Sequence, residues 1–336
     1  LRGARDGFVE TLVSNAALLR RRIRDPRFSM ELYGVGRRSR SDVAICYISD
    51  SVDQSVLNRM RKLIQSIDVD ALTMNIESLA ECMFTHKWIN PFPKFKYSER
   101  PDTATAAILD GNIVIMVDNS PAVMIIPASI FDIIEEADDF NFSPMIGSYL
   151  RITRFFFSIV TWILTPLWLL FVNNPDWVPE FMKFVLITDD ITVPVLLQLL
   201  ILELAVDGLK LAAVNTPTML STPLSIVAGI VVGEYAVSSG WFNPEALLYM
   251  AVVTVGTYGQ TNFEMGYAFK FLRVLTLILT QIFNLGGFIA GVVISVLMIA
   301  FNRTITGKSY IYPLIPWDGK MLKRKVLRVR LPHSYK

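Results

Sequence analysis

Three ionisable residues stand inside an otherwise apolar run. Between Val193 and Val214 the only charged side chains are Glu203, Asp207 and Lys210. At about 100° per residue they fall within roughly 60° of one another, one stripe down one helix face. An acid near the centre of a membrane helix costs roughly 2.5–3.5 kcal/mol on insertion scales, so these groups must face protein or water, with Lys210 expected to neutralise Asp207 in part, one turn away. Two readings stay open: a structural ion cluster that sets subunit packing, or the lining of a polar path for ions. A second constellation lies in the segment from Pro223 to Ser239, where Ser225, Gly229 and Gly233 recur every fourth residue and Glu234 follows. Small residues at that spacing make a tight helix–helix seam. They also suit a narrow pore, with Val231 and Val232 closing it by dewetting, Gly229 and Gly233 permitting helix approach or hinge motion, and Glu234 attracting cations. A third is Asn284-Leu285-Gly286-Gly287, a break in the apolar run from Val274 to Asn302. Gly286 and Gly287 are its helix-break candidates.

Other chemistries are absent from the sequence. It carries no glycine-rich phosphate loop, the Gly34/Gly36 pair being too short for one, and no Ser/His/Asp set, so no catalytic residue and no enzyme is expected. Two isolated cysteines, Cys46 and Cys82, and two histidines, His86 and His333, exclude a histidine-rich metal site and leave no expectation of a metal or cofactor. A net charge of +2 offers no basic face for nucleic acid.

The elements that must hold these residues follow from charge distribution. The chain has 336 residues, 52% hydrophobic and 18% charged, with 39 charged side chains in residues 1–154, 13 in 155–302 and 10 in 303–336. The reading is an α+β cytoplasmic domain over 1–150, a transmembrane helical domain over 151–302 and a basic cytoplasmic tail over 303–336. Four to six membrane segments are expected. The first is Phe155–Val172, 18 residues without a charge and close to the roughly 20 that cross a bilayer. Arg151 and Arg154 precede it and an acidic loop follows, which places residues 1–154 inside. The run from Val274 to Asn302 would be roughly 43 Å of straight helix, long for one crossing and short for two. Basic residues flank both of its ends, so a re-entrant pair of half-helices is expected. The chain opens on Leu1 without a methionine, and an upstream part of the cytoplasmic domain is expected to be missing.

Within 1–150, residues 6–24 predict an amphipathic helix ending before Pro26. The segment Asp42–Ile48 predicts a strand, and Ser51–Ile67 a helix with Val52, Val56, Met60 and Ile64 on one face. Ala106–Leu109 and Ile113–Val117 predict a hairpin turning at Asp110-Gly111-Asn112, followed by a short strand over Val123–Pro127.

Several pieces in chain order resemble the GerA family of bacterial spore germination proteins. They are RGARDGFVETLVSNAALLRRRIRDPR, SDVAICYI, LDGNIVIMVDNSPAVMIIP, GSYLRITR, LELAVDGLK and SYIYPLIPWD. The segments PLWLLFV and LKLAAVNTPTMLSTPLSIVAGIVVGEYAVSSGWF are closer to a sporulation-associated branch than to nutrient-receptor A subunits. The resemblance implies an integral protein of the spore inner membrane. It implies a homo-oligomer, a pentamer being the form considered, around a conduit for monovalent cations such as potassium. It also implies other spore germination membrane proteins as partners. A non-conducting membrane scaffold and a small-molecule transporter subunit are the alternatives.

Overall fold

In the computed structural model the chain forms two compact units, Leu1–Ile152 with Ile299–Lys336, and Thr153–Met298. The structure describes residues 4–84, 90–215 and 229–329.

The first unit is built on a five-stranded antiparallel sheet in the order β1-β2-β4-β5-β3. Its strands are β1 (Phe28–Val35), β2 (Ser41–Ile48), β3 (Lys96–Ser98), β4 (Ile113–Val117) and β5 (Val123–Ile126). Strands β4 and β5 are mostly β-branched, and β2, β4 and β5 are buried along most of their length, because helices cover both sheet faces. One face carries helices α2 (Gln54–Gln65) and α3 (Ile76–Met83), packed through Val56, Met60, Ile64 and Leu79 onto Val43, Ile45 and Ile115. The other carries α1 (Leu12–Arg22) and α4 (Pro101–Leu109), with Leu19 and Ile108 against Ala44, Cys46 and Val114. Helix α2 begins at Asp53, whose carboxylate accepts from Ser55 N at 3.0 Å, an N-cap that satisfies a free backbone donor.

The expected hairpin at Asp110-Gly111-Asn112 is replaced by a helix-to-strand turn. Pro101 opens α4 at a first-turn position and Asp102 follows it. Three alanines favour the helix over the strand, so the segment before the turn is helical. Gly111 keeps its turn role, with φ +86. The hairpin proper is β4–β5, turning through residues 118–122. Strand β1, which no alternation announced, pairs along all of β2 from Phe28↔Ile48 to Val35↔Ser41.

The segment expected as a basic tail lies within this first unit. Ile305 joins the core beneath the sheet, Tyr310 is fully buried, and its carbonyl accepts from Ile130 N at 3.0 Å. The tail's helix, Gly319–Val326, sends Lys325 to Asp132 beside the short helix α5 (Ile130–Ile134).

The second unit is helical. Helix α6 (Pro144–Asn173) begins in the first unit and continues into the second, followed there by α7 (Val195–Asn215), α8 (Pro244–Tyr258) and α9 (Phe263–Ala300); the tail helix Gly319–Val326 is α10. Trp168, Leu199, Ala246, Met250 and Leu277 form a core shared by α6 to α9. Glycine lets α8 lie close against α6 at Gly256, since a Cβ there would come within 2.6 Å of Thr161 Cγ2.

Among the described residues two helices are long and apolar enough to cross a membrane, Pro144–Asn173 and Phe263–Ala300. The expected count of four to six is therefore not reached. Helix α7 carries three charges along its length, and α8, at 15 residues, would reach roughly 23 Å, short of the bilayer's apolar core.

Helix α9 is folded, not straight. Asn284 has φ 51 and ψ −129, outside helical values. Beyond it the backbone returns along itself: a Cβ on Gly287 would lie 1.7 Å from the Leu279 carbonyl oxygen, and one on Gly291 2.9 Å from Thr276 Cα. In a continuous helix, residues eight apart would lie about 12 Å apart along the axis. The element is a tight helical hairpin whose seam is Thr276 and Thr280 against Gly287 and Gly291, all buried.

Candidate functional site: a buried ion cluster in the helical unit

The α7 stripe meets two cations from the first limb of α9. Glu203 is only 4% exposed and Arg273 3%. Arg273 Nη2 donates to Glu203 Oε2 at 2.8 Å and its Nε donates to Oε1, a two-point clasp. Its remaining Nη1 donates to the Thr161 carbonyl on α6. One guanidinium therefore ties α6, α7 and α9 together, a geometry that lysine's point charge does not reproduce.

Asp207 is paired with Lys270 on α9, and Lys270 also donates to the Glu203 backbone carbonyl at 3.2 Å. The direct ion-pair partner of Asp207 is thus Lys270, and the expected partial neutralisation by Lys210 is left to charge attraction at longer range. Lys210 instead lies over the rings of Tyr258 and Tyr267, 5.5 Å from each centroid, where the ring faces attract a cation. The physical reason is reach: Lys270 approaches Asp207 across the helix interface, while Lys210 is drawn off by two aromatic faces. The second oxygen, Asp207 Oδ1, is buried with no hydrogen-bond partner.

These groups line one cleft of about 590 Å³, which Thr254, Thr257, Gln260 and Asn262 complete. It is narrow and lined by both charge signs. Chemically it can hold small polar solutes, water or ions.

Sequence reasoning found the acids and missed their partners. Lys270 and Arg273 entered only as basic flanks of an apolar run; the signal was their spacing of three, one helix face, opposite the acids' spacing of four. The glycine segment is described only in part. Ile230–Tyr235 forms a π-helical turn leading into Ala236–Ser238. Gly229, Gly233 and Glu234 are exposed, and a Cβ on either glycine would meet nothing within 4 Å. Ser225 and the side chains of Val231 and Val232 lie outside the described residues. Gly286, the other helix-break candidate, has open space around it, in contrast to Gly287.

The first unit holds its own charged cleft of about 890 Å³, lined by Lys96, Asp102, Asp110, Asp132, Glu135 and Lys325 among others. Burial pushes the Lys96 ammonium below its ordinary range, though Glu135 and Asp132 oppose that shift. Burial also disfavours the charged form of Lys325, but Asp132 and Glu135 outweigh it and hold that ammonium above its ordinary range. The Cys46 thiol is pushed up to about 12 by burial and is inert at neutral pH.

Among the described residues no group of acids, histidines and cysteines could hold a metal ion. The Bacillus/Clostridium GerA spore germination protein family model matches residues 1–336. The chain is 39% identical over 332 residues to stage V sporulation protein AF of Bacillus subtilis, covering 99% of this chain and 67% of that one. It is 27% identical to spore germination protein XA of Bacillus anthracis over 94% of this chain and 64% of that one. It is 28% identical to spore germination protein GerLA of Bacillus cereus over 98% and 67%. The chain thus spans about two thirds of the length of these curated relatives. The crystal structure of the N-terminal domain of the A subunit of the Bacillus megaterium spore germinant receptor GerK3 matches at 32% identity. That match covers 36% of this chain and 94% of that one, with a TM-score of 0.29, too low to bear on the fold. With the family matched from the first residue to the last, the chain belongs to the GerA family of spore germination proteins.

Proposed function

We propose that this chain is a non-catalytic membrane subunit of a spore germination complex, and that its helical unit forms or gates an oligomeric path for monovalent cations in the spore inner membrane. The observation that carries this reading is the cluster of buried Glu203 and Arg273 with half-buried Asp207 and Lys270, lining a polar cleft within apolar helices. Two ion pairs in such surroundings cost desolvation that a purely structural core avoids with apolar residues. A supporting observation is the π-helical turn at Ile230–Tyr235, a rare geometry that recurs at functional sites. Its exposed Gly233 and Glu234 suit contact with a second copy or with the ion path. On this reading residues 1–152 and the tail lie in the cytoplasm, and other germination membrane proteins are the partners.

The test is potassium flux from liposomes carrying the purified chain. A conduit gives flux, a leak in Val232→Ala, and altered cation preference in Glu234→Gln. A purified oligomer that passes no potassium, with both variants matching wild type, sinks the reading. That result would favour a non-conducting scaffold, which the large folded first unit supports.

A further inference from the structure

Among the apolar side chains that the first unit exposes, three lie close together in one loop of its tail. After Tyr310 is buried, the tail passes through Leu314, Ile315 and Trp317 before α10; Ile315 is 56% exposed and Trp317 71%. Prolines at 313 and 316 stiffen this loop, and Asp318 closes it by accepting from Met321 N at 3.0 Å. A wandering loop would bring these side chains inward at random. This one is held with its largest apolar groups outward.

Helix α10, which follows the loop, is tied, together with Arg328 just beyond its end, to the start of α6. Arg151, 1% exposed, donates from Nη1 to the carbonyls of Arg324 and Lys325 at 3.0 and 3.2 Å. Arg328 N donates to Ser148 Oγ at 3.0 Å. Ile152, exposed on the same stretch of α6, precedes the charge-free run at Phe155 by three residues, about 5 Å of helix. Phe301, also exposed, follows the last residue of α9. Ile152 and Phe301 thus belong to the first unit at the two points where the chain enters and leaves the helical one. Immediately after Trp317 come Lys320 and Lys323, both exposed, in a tail segment whose one acid is Asp318 against nine basic residues.

We propose that Leu314, Ile315 and Trp317 form an interfacial anchor that seats the tail on the surface of an anionic lipid bilayer, with Lys320 and Lys323 pairing to lipid phosphates. An indole at the headgroup level, aliphatic neighbours below it and lysines above it match the layered chemistry of that boundary. Each lysine near an anionic surface adds about 1 kcal/mol of attraction. The anchor rests on the reading that α6 crosses the membrane.

The test uses the full chain in vesicles of phosphatidylcholine with or without phosphatidylglycerol, the lipids brominated near the carbonyl end of the acyl chains. The emission that Trp317→Phe removes from wild type reports Trp317 alone. The anchor predicts that bromolipid quenches this emission, more strongly with phosphatidylglycerol, and that Lys320→Gln with Lys323→Gln abolishes the phosphatidylglycerol dependence. Emission quenched by aqueous acrylamide but not by bromolipid overturns the proposal. Emission shielded from both overturns it too, since protein, a second copy or a partner, then covers the loop. Alkaline carbonate extraction separates the failures. A chain washed off the membrane sinks the crossing of α6, whereas a retained chain with unquenched Trp317 sinks only the anchor.

Discussion

Removing Arg273 would leave the buried Glu203 carboxyl without its two-point donor. Breaking such a pair from one side costs about 3–5 kcal/mol, so Arg273→Ala should lower the melting temperature of the detergent-solubilised chain sharply. Arg273→Lys should recover only part of the loss, because an ammonium cannot span both Glu203 oxygens and the Thr161 carbonyl at once. In the first unit Glu31 accepts from Arg61, Tyr47 and Tyr33. The Arg61 hydrogen bond above all holds its carboxyl down from an ordinary 4.5 to about 2. A lowered folded-state pKa contributes stability that is full above about pH 4.5 and is lost as pH falls toward about 2. Glu31→Gln should therefore lower the thermal midpoint at about pH 6, while its deficit against wild type narrows at about pH 3. A constant deficit across that range would reject the assignment.

At the scale of elements, the α9 hairpin depends on the missing side chain of Gly287. Adding one methyl group there drives it into the Leu279 carbonyl, backbone that cannot rotate away, so Gly287→Ala should cost at least the roughly 1–3 kcal/mol of an overpacked core. Gly286→Ala meets open space and should be neutral or stabilising by up to about 1 kcal/mol, because alanine restricts the unfolded chain. Melting the two variants side by side isolates the seam from helix propensity.

Elements were legible where periodicity and chemistry agreed. The α2 stripe, strand β2, the span at α6 and the break near Asn284 all follow from local pattern. Helix α4 was misread because Asp110-Gly111-Asn112 marks a reversal without saying what enters it. Strand β1 was missed because Glu31 and Tyr33 lie half-buried in an ion and hydroxyl network that breaks the alternation. Partners were the illegible part of the site. The composition of an apolar run exposes its acids, but Lys270 and Arg273 lie more than 60 residues away in sequence, and only helix packing brings them to Glu203 and Asp207.

At the scale of the whole molecule, the first unit is completed by the far end of the chain. Ile305 and Tyr310 fill its core, Lys94 Nζ donates to the Arg303 carbonyl at 2.9 Å, and Lys308 pairs with Asp53 at 2.8 Å. Truncation after residue 301 should therefore make residues 4–152 sensitive to limited proteolysis, even though the sheet itself is intact in sequence. If that fragment resists protease like the full chain, the tail's contribution is only local.

Synthesis order turns this closure into a timing rule. The ribosome delivers the five strands early, then the apolar helices, and only last the residues that finish the sheet unit. At about 5–20 residues per second, residues 153–336 take roughly 10–40 s to emerge. For that interval the sheet unit lacks Tyr310 in its core, Lys325 beside Asp132, and the carbonyls that receive Arg151. A nascent chain whose helices stall on the way into the bilayer never supplies them. The half-finished unit then remains open to proteases, so its completion reports that the intervening helices have been delivered.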